Sequence, residues 1–173
     1  MTVQPKIKTV TFDTNVFPAD ALKERACKAG ITVSVVSVSA REVEGSSLEQ
    51  EVKALQAIPE IAVWGQFFWG QAVWAAKENG ECLEYILSLV SNRSFPLAGE
   101  RENLTRGQLR QLRDAIILCT HIRSGRDLLV SNDSAAFISD GRRQGIESKY
   151  ATRIMTVQQF ESYLSERERG VTA

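Results

Sequence analysis

The sequence predicts a three-layer α/β/α domain built on a mainly parallel central sheet. Two observations carry that reading. Short apolar, β-branched runs alternate with stretches of helical apolar spacing along the chain, the pattern of strands joined by crossover helices. The first run, Val10-Thr11-Phe12, ends in a carboxylate, Asp13, followed by the polar pair Thr14-Asn15. In an open parallel sheet the carboxyl edge is where ligands bind, and an acid there beside apolar neighbours is costly to leave unpaired. Residues 1–173 read as one domain, a length that suits a sizeable core, and no linker or low-complexity segment divides it.

Ile7–Phe12 is expected as the first strand. The spacing predicts a helix over Pro18–Ala29: Pro18 suits a first turn, Leu22 and Ala26 share a face, and Gly30 closes it. Ile31–Val38 reads as a second strand, with Ile31, Val33 and Val35 alternating with Thr32 and Ser34. Ser39-Ala40-Arg41-Glu42 has the spacing of a capping box, so a helix is expected from there towards Ile58, stopping before Pro59, with a break at Gly45-Ser46-Ser47. Ile61–Ala76 reads as a helix weakened at Gly65 and Gly70 and crowded with Trp64, Phe67, Phe68, Trp69 and Trp74. Residues 50–106 thus form an enlarged, helical, aromatic-rich middle segment.

Cys82–Val90 is another helix, apolar at Leu83, Ile86, Leu87 and Val90, and 91–103 is a loop. Thr105–Arg123 is a long helix with Leu109, Leu112, Ile116, Cys119 and Ile122 as its apolar positions, ended by Gly125. Leu128–Val130 reads as a short buried strand, Ser134–Gly141 as a helical turn or two, Arg153–Thr156 as a last strand and Val157–Glu166 as a terminal helix.

Lys and Arg number 21 and Asp and Glu 21, for a formal net charge of 0, and the pI is about 6.6. There is no global basic field, which argues against strong non-specific nucleic-acid binding and leaves room for a local basic patch. Cys27, Cys82 and Cys119 are widely separated and have no metal-type spacing, so reduced thiols in a cytoplasmic protein are expected. Nothing at the start reads as a signal peptide and no apolar run spans a bilayer, so no membrane association is expected.

Four acids fall where this topology brings residues to the carboxyl edge. Asp13 follows strand one, Glu42 lies just after strand two, and Asp133 follows Leu128–Val130. Asp114 lies in the preceding helix, roughly 13 Å from Thr105 at about 1.5 Å per residue, so that helix must project beyond the sheet for Asp114 to join the others. Clustered carboxylates repel and raise one another's pKa values unless a cation neutralises them. Mg²⁺ and Mn²⁺ prefer such hard oxygen ligands, and bound metal can activate water and stabilise the attacking and leaving oxygens of a phosphodiester. The chain has one His and no nucleophile motif, which such a site does not need.

At these residues the chain resembles the PIN-domain family, especially the VapC-type ribonuclease toxins. The matching stretches are Thr11-Phe12-Asp13-Thr14-Asn15-Val16, Ser39-Ala40-Arg41-Glu42-Val43, Arg113-Asp114-Ala115-Ile116-Ile117-Leu118, and Leu129-Val130-Ser131-Asn132-Asp133 followed by Phe137. Ile154-Met155-Thr156 and the helix after it match the family's usual ending. The order agrees along nearly the whole chain, although the middle is longer and more aromatic than in the compact toxins. The resemblance implies a single PIN-like domain with a metal site of Asp13, Glu42, Asp114 and Asp133, holding Mg²⁺ or Mn²⁺. Supporting polar positions would be Asn15 and Ser131, the latter where threonine is commoner. The implied activity is a metal-dependent endoribonuclease that leaves 3′-hydroxyl and 5′-phosphate ends. Many members are paired with a protein inhibitor, as in toxin–antitoxin pairs, and many form homodimers; the resemblance extends both expectations to this chain.

Plainer roles stand beside these. Asp13 also suits a helix N-cap or an Asx turn. Glu42 can complete a capping box with Ser39, and Glu44 faces another side of that helix. Asp133 can cap the next helix, with Asn132 or Asp127 taking its place in the site. His121 shares a helix face with Asp114 and reads as a packed or surface histidine rather than a base. Arg106, Arg110 and Arg113 form a stripe that is either solvated or holds RNA phosphates. Trp64, Trp69 and Trp74 do not share one helical stripe and suit core packing, a dimer surface or base stacking. A non-catalytic module binding RNA or a protein partner is the alternative function. An aspartyl-nucleophile phosphatase is disfavoured, because Asn15 stands where a second acid belongs.

Overall fold

The computed structural model describes residues 6–62, 72–73, 77–139 and 141–170. In chain order the elements are β1 (Thr9–Phe12), α1 (Asp20–Lys28), β2 (Thr32–Val36), α2 (Ser37–Glu42), α3 (Glu49–Lys53), β3 (Gln56–Ile58), β4 (Glu60–Ile61), β5 (Ala72–Val73), α4 (Lys77–Val90), α5 (Arg106–Arg123), β6 (Leu128–Val130), α6 (Arg142–Lys149), β7 (Arg153–Met155) and α7 (Val157–Glu168). The central sheet has five strands in the order β3-β2-β1-β6-β7, every pair parallel. From β1 the chain builds outward to β2 and β3. It then crosses back and builds outward on the other side with β6 and β7. The strand order therefore reverses between β1 and β6, and in open α/β sheets that switch point opens a crevice at the carboxyl ends.

Alternation along the strands sends apolar side chains to both faces. On one face Val10, Phe12, Val33, Val35, Leu128 and Val130 pack with Leu22 and Ala26 of α1, Val52 of α3, and Phe160 and Leu164 of α7. Phe12 meets Phe17 and Phe160 edge-on, with each pair of ring centroids 6.1 Å apart. On the other face Val36, Leu129 and Ile154 pack with α4, α5 and Ile146 of α6. These two cores on either side of the sheet make the three-layer α/β/α architecture.

The entry to β1 is fixed by Asp127. Its carboxylate accepts hydrogen bonds from the Lys8 and Thr9 amides, both at 2.9 Å, and from the Thr9 hydroxyl at 3.0 Å. This places Asp127 at the amino edge of the sheet, so it cannot substitute for Asp133 at the carboxyl edge. At the end of α1, Gly30 adopts a φ of 72°, which closes the helix as its position predicts.

Four expectations are corrected. The helix foreseen from Ser39 to Ile58 is instead α2, α3 and the edge strand β3. Gly45 takes a φ of 75° and turns the chain after α2, and Gln56–Ile58 pairs with Ser34–Val36 before Pro59. The helix foreseen over 61–76 is not continuous, because Glu60 and Ile61 pair in parallel with Ala72 and Val73. The aromatic residues Trp64, Phe67, Phe68, Trp69 and Trp74 lie outside the described residues. The loop foreseen over 91–103 contains a 3-10 segment at Ala98–Asn103, and α6 forms where no helix was expected.

His121 joins the layers. It lies on α5, fully buried, between the Thr11 hydroxyl of β1 at 2.8 Å from Nδ1 and the Thr152 hydroxyl at 2.6 Å from Nε2. Burial, with a smaller push from Arg126, takes its pKa down to about 3. The ring is therefore neutral, with one nitrogen donating and the other accepting. His121→Ala removes the ring and leaves two buried hydroxyls without that partner. It is expected to lower unfolding stability by about 3 kcal/mol, seen as a lower urea midpoint at an unchanged m-value.

Candidate functional site

The pairing of β1 with β6 aligns Phe12 with Val130, so the residues that follow the two strands emerge side by side. Asp13 leaves β1 in extended conformation and caps the turn Thr14–Val16, its side chain accepting from the Thr14 amide at 2.7 Å. Its other oxygen accepts from the Ser131 hydroxyl at 2.6 Å and from the Asn15 amide group at 2.8 Å. Asn15 in turn accepts the Asn132 amide at 2.9 Å, and Ser131 accepts the Asp133 amide at 3.0 Å. Asn15 and Ser131 thus hold Asp13 in one orientation and tie the ends of the two strands together.

Asp133 takes the capping role foreseen for it and pairs with an arginine. One carboxylate oxygen accepts the Ala136 amide at 2.8 Å and caps the short turn Ser134–Ile138. The other accepts from Arg110 at 2.7 Å. Asn132 faces away, accepting the Val157 amide at 3.2 Å.

Glu42 reaches the same edge by a different route from the expected one. α2 begins at Ser37, directly after β2, so Glu42 is its last residue. No capping box forms with Ser39, whose hydroxyl is buried without a partner among the described residues. The Glu42 carboxylate instead accepts the Thr14 hydroxyl at 2.6 Å and lies 3.6 Å from the Arg113 guanidinium. Thr14 was not singled out in the sequence; its one available signal was a hydroxyl between Asp13 and Asn15. Glu44 is exposed beyond the end of α2.

α5 is capped by Thr105, which forms a true capping box with Gln108. Arg110 reaches Asp133, and Arg113 reaches Glu42. The turn Arg110–Asp114 is therefore level with the carboxyl edge, and the residues before it project past the sheet. Asp114 makes no hydrogen bond or ion pair with any described residue. It lines a cleft of about 240 Å³ with Gly107, Arg110, Gln111 and Asp133.

Charge ties the four acids together. Burial, then the charges of Asp13 and Asp133 with a smaller push from Glu42, raise the Asp114 pKa to about 8, against the pull of Arg110. Burial raises Asp13 to about 6, opposed by its bonds from Ser131 and Thr14 and reinforced by Glu42 and Asp133. Oxygen-only donors in a concentrated negative field suit a hard divalent cation. As they stand, however, no three His, Cys, Asp or Glu side chains among the described residues are placed to hold one ion. The reason is visible in the contacts. Glu42 and Asp133 are turned to arginines and to local hydrogen bonds, and Asp114 alone is uncommitted. Arg106 is exposed and pairs with no acid among the described residues.

Protein-family models, curated proteins and solved structures were compared with the chain, and none matches.

The raised acids set a pH dependence. Folded Asp114 keeps its proton to about pH 8, whereas unfolded aspartate loses it near 3.9. Between those values the folded state binds more protons, so stability falls as pH rises. Asp13 adds the same sign up to about pH 6, while neutral His121 acts oppositely below about 6.5. In chelator, Asp114→Asn is expected to gain melting temperature over the parent chain as pH rises from about 4 to 8. At about 2–4 °C per kcal/mol, the gain at pH 8 should be several degrees; parallel melting curves would show that Asp114 carries no strain.

Proposed function

We propose that this chain is a divalent-metal-dependent endoribonuclease of the PIN type, hydrolysing RNA phosphodiesters at the β1/β6 crevice. The observation that carries the reading is Asp114. With no partner among the described residues, beside buried Asp13 and at the switch point of a parallel sheet, this carboxyl holds a proton to about pH 8 and is stable as a carboxylate at neutral pH only when a cation joins it. A purely structural acid is spent on hydrogen bonds, as Asp127 is on the Lys8 and Thr9 amides.

In this reading Asp13, Glu42, Asp114 and Asp133 hold Mg²⁺ or Mn²⁺, which when bound supplies water activation and charge neutralisation at the phosphate. Asn15 and Ser131 orient Asp13 by bonding one of its oxygens. The arginine stripe of Arg106, Arg110 and Arg113 runs along the exposed face of α5 beside the acids and suits the backbone phosphates of a single strand. His121 takes no part as a base: it is buried, neutral and engaged at both nitrogens. Cleavage by water leaves 3′-hydroxyl and 5′-phosphate ends. The same reading includes pairing with a protein inhibitor, as a toxin with its antitoxin, and dimer formation.

A non-catalytic module of the same fold is the second reading. It is favoured by the two ion pairs that already satisfy Glu42 and Asp133.

The test is cleavage of a mixed RNA pool with Mn²⁺, with Mg²⁺ and with chelator. Metal-dependent cleavage is expected, reduced in Ser131→Ala by roughly 10–100-fold, the usual effect of an outer-shell group. In Asp13→Asn the loss should exceed that, with the melting temperature retained. Full activity in Asp13→Asn would sink the nuclease reading, and no cleavage under any condition would favour the binding module.

A further inference from the structure

We propose that Cys82 of α4 and Cys119 of α5 are a peroxide-reactive dithiol, which closes to a disulfide and staples the two helices together.

The helices carry the pair into contact. α4 and α5 lie in the same core on one face of the sheet, which includes Leu83, Ile86, Ile116 and both cysteines. The two sulfurs are 2.9 Å apart and both thiols are free. A disulfide bond is about 2.05 Å long, so the sulfurs have less than about 1 Å to travel. Cys27 is also free, but it is exposed on α1, which packs on the opposite face of the sheet. It cannot reach either of the others.

The two thiols are not equivalent. Cys82 is 8% exposed and Cys119 2%, so a small oxidant such as hydrogen peroxide meets Cys82 first. The surroundings favour charge on that same sulfur. The hydrogen bond with Cys119, then the Tyr150 hydroxyl and the charge of Lys149, hold the Cys82 thiol below its ordinary pKa against the effect of burial. Burial, and then the bond to Cys82, pushes Cys119 up. The Lys149 ammonium is held on this side of the core by aromatic faces, 3.7 Å from the centre of the Tyr85 ring and 5.8 Å from that of Tyr150.

The thiolate is the nucleophile. The Cys82 sulfur attacks the peroxide, an S–O bond forms as the O–O bond breaks, and hydroxide leaves, taking up the proton that Cys82 released. Cys82 is then a sulfenic acid. The Cys119 sulfur attacks the Cys82 sulfur: the S–S bond forms, the S–O bond breaks, and the Cys119 proton departs with the hydroxide as water. Together the two thiols lose two electrons and two protons, and the peroxide is reduced to two waters. The new bond closes a loop with a sequence separation of 37, which contains the projecting start of α5 with Arg110 and Asp114. Closing a loop of this length restricts the unfolded chain and so stabilises the folded one.

The experiment is treatment of the folded parent chain with hydrogen peroxide, then alkylation in denaturant and peptide mapping by mass spectrometry. The expected product joins the Cys82 and Cys119 peptides with the loss of two hydrogens, and Cys27 stays outside the linkage. Its melting temperature should rise by about 5–15 °C, and dithiothreitol should return it to the starting value. With peroxide and dimedone, which traps sulfenic acid, Cys119→Ser should be labelled at Cys82, whereas Cys82→Ser should stay unlabelled at Cys119. If both thiols of the parent chain remain alkylatable, or gain oxygen without becoming linked, the dithiol is overturned. A linked product that melts no higher than the reduced chain overturns the staple, and label on Cys119 in Cys82→Ser overturns the order of attack. The parent chain decides the first two points even if a serine variant fails to fold.

Discussion

The pairing of β1 with β6 is the constraint on which the rest of the structure depends. Because the strand order reverses there, two strands distant in sequence end beside each other. Each ends in an acidic turn, so the fold brings like charges together that the sequence keeps far apart. Burial of Asp13 (3% exposed) makes the juxtaposition consequential, since charge repulsion is felt more strongly where water is excluded. The hydrogen bonds from Ser131 and Asn15 offset part of that cost by pinning one carboxylate, and they leave Asp114 to absorb the remainder.

One helix answers this field with both signs. α5 contributes Asp114 to the acidic crevice and, from the same turn and the one before it, the two arginines that neutralise Asp133 and Glu42. Helical spacing allows this: positions three and four apart are neighbours on a helix surface, so Arg110, Arg113 and Asp114 project towards one edge without sharing a point. The result is a balanced but divided site. Asp133 and Glu42 have arginine partners; of the two acids without one, Asp13 is held by hydrogen bonds and Asp114 has the higher pKa.

The fold class, and the placement of Asp13 and Asp133 after β1 and β6, were legible because Val10–Phe12 and Leu128–Val130 are apolar runs with polar residues after them. Long α5 was legible from its apolar spacing and its Thr105 start. β3 was not: Gln56-Ala57-Ile58 has little β-branched character, and its strand state comes from pairing with β2. α6 was hidden because its stretch is polar, includes Gly145, and buries Ile146 as its one apolar anchor. Ser39-x-x-Glu42 has the letters of a capping box, but the helix starts two residues earlier. Local pattern lost there to the tertiary bond between Ser37 and Glu60, 2.9 Å from hydroxyl to carboxylate. The contacts of Glu42 and Asp133 with arginines were not readable at all, since they depend on how far α5 projects past the sheet.

The buried bridge of His121 between Thr11 and Thr152 also bears on how accurately the acidic turn is delivered. Asp114 lies seven residues before His121, so the two share a helix face to within about 20° and stand about 10.5 Å apart along the axis. Sliding α5 by one residue would rotate that face by about 100°, swinging Asp114 away from the crevice and pulling the imidazole off both hydroxyls at once. The histidine therefore acts as a detent: the helix has one indexed position, set deep in the core, and the reach of its far end is decided there.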